Sequence, residues 1–183
     1  MRRIAFAVLA VVPVLAPDAG AFTLESTEVR HSGRMAEAQV YNGFGCNGGN
    51  VSPSLTWRDP PSGTKSFAVT MYDPDAPTGS GWWHWVVFNI PPSTTSLPAG
   101  AGDASGAKLP QGAIQGRTDF GSPGYGGPCP PQGDRPHRYV FTVHALKVDR
   151  IDADANASAA MVGFMLNANR LGKVTLTGTY GRK

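Results

Sequence analysis

Residues 67–92 read FAVTMYDPDAPTGSGWWHWVVFNIPP, and this stretch decides the fold. Phe67 to Tyr72 and His84 to Ile90 are both rich in β-branched and aromatic residues, and both read as strands. Between them, Asp73-Pro74-Asp75-Ala76-Pro77 suits neither a helix nor a strand interior, because each proline fixes φ and removes a donor. Two carboxylates are thereby held on a stiff turn at a strand end. The returning chain then puts His84 at the start of the neighbouring strand. Two readings are open: aspartates capping a turn beside a satisfied histidine, or a site at a shared sheet edge.

Outward from this hairpin the chain is rich in turns. Phe22 to Ser26 and Ala36 to Tyr41 read as short strands, and His31 lies in the polar loop between them. The run from Tyr41 to Asn50 contains a formal G-x-G-x-x-G at Gly43, Gly45 and Gly48. A dinucleotide site needs a helix to begin there. Val51-Ser52-Pro53 follows instead, so the glycines are assigned to turns. Val51 to Trp57 reads as an edge strand, with Pro53 keeping it from the sheet centre. Pro91 to Gly112 and Gln115 to Gln132 are long loops, the second carrying Phe120, Tyr125 and Cys129. His137 to Leu146 is a long strand with His137 and Tyr139 on one face. His144 is on the other, where a half-exposed position is expected. Ser158 to Leu171 reads as a helix packing Met161, Phe164, Met165 and Leu171 onto the sheet, ended by Gly172. Val174 to Tyr180 is a final strand.

Composition narrows the class. With 183 residues one domain is expected, and 23 Gly with 16 Pro favour many turns and short strands. A formal charge of +3 with no Lys/Arg cluster argues against a nucleic-acid partner. Met1-Arg2-Arg3, the apolar Ile4 to Ala16 and Ala19-Gly20-Ala21 have the form of a secretory signal peptide. Cleavage after Ala21 leaves residues 22–183 as the domain, periplasmic or secreted. The apolar run is too short for a stable bilayer-spanning helix, so no transmembrane anchor is expected after cleavage. Only Cys46 and Cys129 are present, and two cysteines in an oxidising compartment generally pair, so a Cys46–Cys129 disulfide is expected.

DPDAP, then WWHWVVFNIP, then YGGPCPPQGDRPHRY together resemble the phosphatidylethanolamine-binding protein family, which includes the Raf kinase inhibitor proteins. The leader, the FGCNGGNVSPSLTW run and the cysteine in GPCPP are similar to its exported bacterial branch. The resemblance covers the chain from Phe22 to Tyr180. It implies a mainly β protein, an antiparallel β-sandwich with one or two short helices near the C-terminus. It also implies a small anion-binding pocket with Asp73, His84 and His137 as its polar residues. Tyr125 and Tyr139 match aromatic positions near that pocket, and Gly127 to Pro131, with Pro128, match its wall. In this chain Asp134-Arg135-Pro136 separate Gly133 from His137, so a different rim shape is expected.

The expected function is therefore binding of a small phosphate-like anion, with no cofactor, acting by binding or inhibiting a protein partner of unknown identity. Two imidazoles beside a carboxylate can each donate an N–H to an oxyanion. The alternative is a hydrolase or metal-dependent enzyme using the same Asp/His cluster. Thr78-Gly79-Ser80-Gly81 is not a nucleophile elbow, a disulfide would remove Cys129 as a nucleophile, and no H-E-x-x-H is present.

Overall fold

Alternation in the central hairpin becomes two long neighbouring strands in the computed structural model, which describes residues 20–183. The signal-peptide assignment falls almost wholly outside the described residues. In chain order the strands are β1 (Thr23–Glu25), β2 (Asn42–Gly43), β3 (Cys46–Asn47), β4 (Leu55–Arg58) and β5 (Ser66–Asp73). Then come β6 (Trp82–Ile90), β7 (Ser96–Leu97), β8 (Ile114–Gln115), β9 (His137–Leu146) and β10 (Arg170–Tyr180), with one helix, α1 (Ala159–Asn169), before β10.

A five-stranded sheet runs β10-β9-β5-β6-β8, and a three-stranded sheet runs β1-β4-β7; every strand pair in both is antiparallel. The β5 alternation sorts the core into two layers. Phe67, Val69 and Met71 join Trp57 and Leu55 of the small sheet, with Trp85, Phe141 and Val143 beside them. Ala68, on the other face, joins Val86, Phe88 and Leu146 under Val162 and Leu166 of α1.

Several sequence expectations are corrected here. Ala36 to Tyr41 is not a strand; Glu37–Gln39 forms a 3₁₀ turn, closed by the Val40 N–H donating to Glu37 O at 3.2 Å. The expected edge strand is shorter, Leu55–Arg58, and is not an edge: it pairs with β1 on one side and β7 on the other, while Pro53, which offers no ladder donor, lies outside it. Ser158 caps α1 by accepting from the Met161 N–H at 3.2 Å. The helix then buries Ala159, Val162 and Leu166, whereas Met161, Phe164 and Leu171 are exposed. Helix and strand meet without a glycine stop: β10 begins at Arg170, and Gly172 lies within it. Because α1 covers that face, His144 is buried rather than half-exposed, with Nε2 3.3 Å from Thr70 Oγ1.

Candidate functional site

All the polar groups of the site come from one end of the five-stranded sheet. Asp73 is the last residue of β5, His137 is the first of β9, and Tyr139 shares the His137 face two residues on. His84 reaches them through a register shift. Met71 pairs with Trp85 and Tyr72 with Trp83, so His84 is an extra residue on β6. This β-bulge lets His84 and Trp85 both turn inward, while Trp83 stacks on Tyr72 outside, ring centroids 4.7 Å apart. Nothing in the alternation of β6 signals it.

The two aspartates of the DPDAP turn have separate tasks. Asp73 is buried; its Oδ1 accepts the Asp75 N–H at 2.8 Å and its Oδ2 lies 2.8 Å from His137 Nδ1. Asp75 points the other way and clamps the turn to β9. It accepts from the Arg138 N–H at 2.9 Å, Nε at 2.8 Å and Nη2 at 2.9 Å, and from Arg135 Nη2 at 3.2 Å. The Arg138 hydrogen bonds hold Asp75 down at about 2, well below the usual carboxylate range.

His84 is buried and tied to the loop opposite. Its Nδ1 lies 2.6 Å from Gly126 O, and its own carbonyl accepts the Gly126 N–H at 2.9 Å. Its ring meets Phe120 and Tyr139 edge-on at 5.4 and 5.2 Å. Burial pushes His84 down to about 4, against smaller upward pulls from Gly126 and Asp73. At neutral pH its only proton is therefore on Nδ1 and given to Gly126. The expectation that both imidazoles donate to a ligand is thus revised for His84. His137 has carboxylates on both sides, since Asp134 Oδ2 lies 3.3 Å from its Nε2. The Asp134-Arg135-Pro136 run between Gly133 and His137 supplies that second carboxylate.

These side chains line a cavity of about 220 Å³. Asp73, His84, His137 and Tyr139 form its polar part, and Phe44, Trp82, Phe120, Pro130 and Pro131 much of its apolar wall. The Tyr139 phenol is sealed, without a partner among the described residues, and burial raises it far above its ordinary value. Tyr125, Gly127 and Pro128 stand behind the cavity. Tyr125 packs its ring on Trp85 and donates to Gln39 O at 3.0 Å. Gly127 donates to Asn50 Oδ1 at 2.8 Å, and a Cβ there would fall 2.0 Å from Gln39 O, so only glycine fits. Pro128 O accepts the Tyr41 N–H at 3.1 Å. The Cys46–Cys129 disulfide joins β3 to the same wall. Phe44 and Phe120 were not singled out for the site by the sequence, although each is a large apolar residue inside a Gly-rich loop.

Comparison with known proteins agrees with this architecture. The chain is 57% identical over 163 residues to the UPF0098 protein YbcL of Escherichia coli K12, covering 89% of each. It is 52% identical over 157 residues to YbhB of the same organism, covering 86% of this chain and 98% of that one. The crystal structure of E. coli YbcL, described as a new member of the mammalian PEBP family, superposes with a TM-score of 0.88. That match covers 88% of this chain and 99% of the other. A model of the phosphatidylethanolamine-binding protein family matches residues 25–181, nearly the whole described chain from β1 through β10, and to that family this chain belongs.

Proposed function

We propose that the cavity binds a small phosphate-like oxyanion and that the protein acts through this binding on another protein, without turnover. The observation that carries the reading is Asp134. Its half-exposed carboxylate sets an oxygen 3.3 Å from His137 Nε2, and a ligand oxyanion is the same kind of acceptor. Asp73 orients His137 from the opposite side, and aromatic rings border the cavity. A catalytic reading is less favoured. The Cys129 sulfur is in a disulfide, and the Thr78 hydroxyl of the cavity donates to Gly81 O.

Calorimetry with methyl phosphate tests the reading. His137→Ala should weaken binding by about tenfold or more, the size of one charge-assisted hydrogen bond. Asp134→Ala, on an exposed loop and harmless to the fold, should strengthen it by removing an internal competitor. Methyl phosphate should be recovered intact. Unchanged affinity in both variants would place the anion elsewhere, and hydrolysis would restore the enzyme reading.

We propose also that residues 1–21 are a leader and that the domain works in the periplasm or outside the cell. The disulfide is compatible with export, and among the described residues no helix is long and apolar enough to cross a membrane. The intact mass of the exported form should begin at Phe22; retention of residues 1–21 would count against it.

A further inference from the structure

A carbonyl oxygen only accepts hydrogen bonds, so Gly126 O at 2.6 Å requires the neutral His84 proton to sit on Nδ1. The bond is reinforced by the return bond from the Gly126 N–H to His84 O, and the ring is 4% exposed. Nε2 is then a lone pair on a ring that lines the cavity.

The charged and titratable groups around this ring do not change its role. Asp73, from β5, is engaged by His137 and by the Asp75 N–H. Asp119, from the loop after β8, accepts the Trp83 N–H at 2.7 Å. His137 and Tyr139 approach from β9, and among the described residues no Lys or Arg lines the cavity. A fully ionised oxyanion would meet the Asp73 charge and the His84 lone pair with few compensating donors. An oxyanion that keeps one proton carries less charge toward Asp73 and meets the His84 lone pair as a donor.

We propose that the cavity selects a singly protonated oxyanion, a phosphomonoester monoanion whose P–OH donates to His84 Nε2 while another oxygen accepts from His137. The proposal rests on the anion reading above and deepens it. His84 is then the residue that determines specificity, as an acceptor, and it tells a hydrogen phosphate from a sulfate of equal charge and shape.

The test compares methyl phosphate with methyl sulfate, both monoanions at about pH 5, of which only the phosphate carries an ionisable O–H. Methyl phosphate should bind at least about tenfold more tightly. Its affinity should fall about tenfold per pH unit above its second ionisation near pH ~6. Methyl sulfate, which is helped by a protonated His84, should weaken as pH rises above about 4. Nitrogen-15 NMR of the free protein should show His84 as the Nδ1–H tautomer at neutral pH. In His84→Gln, whose amide both donates and accepts, the preference should collapse while both ligands still bind; a merely structural role would weaken both equally. Equal affinity of the two ligands in the wild type, or an Nε2–H tautomer, would overturn the proposal and leave the anion reading standing. Binding of neither ligand at any pH would overturn that reading and the proposal with it.

Discussion

Replacing Cys46 and Cys129 together by serine should lower the unfolding free energy by roughly 4–5 kcal/mol. The bridge joins residues 83 apart, and in the chain-entropy account cross-linking so long a loop removes about that much freedom from the unfolded chain. Little else holds the two segments. The β2–β3 hairpin has two residues per strand, and the wall is tied to the early chain chiefly by Tyr41 to Pro128, Asn50 to Gly127 and Tyr125 to Gln39. A loss of that size is a large share of the roughly 5–15 kcal/mol that stabilises an ordinary domain. Guanidinium unfolding of the oxidised wild type and the double variant measures it. A difference below about 1 kcal/mol would mean that the unfolded chain is already constrained or that the bridge strains the fold.

Acidification should cost almost as much. Burial pushes His84 down to about 4; burial, with Arg170 and Lys173 nearby, pushes His144 down to about 3. In the unfolded chain both return to about 6.5. Between those values the unfolded state binds more protons than the folded one, so stability rises with pH. Their contribution is complete above pH ~6.5 and is lost as pH falls toward about 4 for His84 and about 3 for His144. At pH ~5 each has given up about 2 kcal/mol, about 4 kcal/mol together. Unfolding midpoints from about pH 8 to about pH 5 would show the slope, and His144→Gln, away from the cavity, should remove about half of it. A flat profile in the wild type would mean that both rings take up a proton without leaving the core, and half the slope would mean that one does.

What the sequence made legible was whatever depended on composition, punctuation or count. Alternating β-branched and aromatic residues located β5 and β6 to within two residues, and two cysteines in a chain with a leader-like start pointed to the bridge. The DPDAP turn marked the sheet end that carries the cavity. What stayed hidden depended on contacts between distant segments. Asp73 and Asp75 are alike in sequence, and only the arrival of His137 and Arg138 separates a cavity carboxylate from a clamp. The helix was read by its largest apolar residues, of which Met165 packs as expected, yet it lies on the sheet chiefly through Ala159, Val162 and Leu166 and leaves Phe164 outside. Close approach explains part of this: at Gly163 an added Cβ would already stand 3.3 Å from the Trp83 ring. His144 was misjudged for the same reason, since it lies on the sheet face that the docked helix covers.

The extra residue in β6 makes the cavity depend on backbone length as well as on side-chain identity. Residues before His84 keep the outward and inward order set by Tyr72 and Asp73, and Trp85 to Val87 keep the order set by Met71. Deleting one residue between Trp82 and Trp85 would remove this shift, though not the second one between Phe67 and Val69, and turn an imidazole or an indole to the opposite face, with the functional side chains otherwise still present in the chain. Only Gly79 and Ser80, at the exposed tip, stand clear of the cavity, because Pro77 and Thr78 line it. Length changes can therefore accumulate at the tip of this hairpin but not in its return strand, and a descendant that lost the bulge would keep the family's motif and lose its pocket.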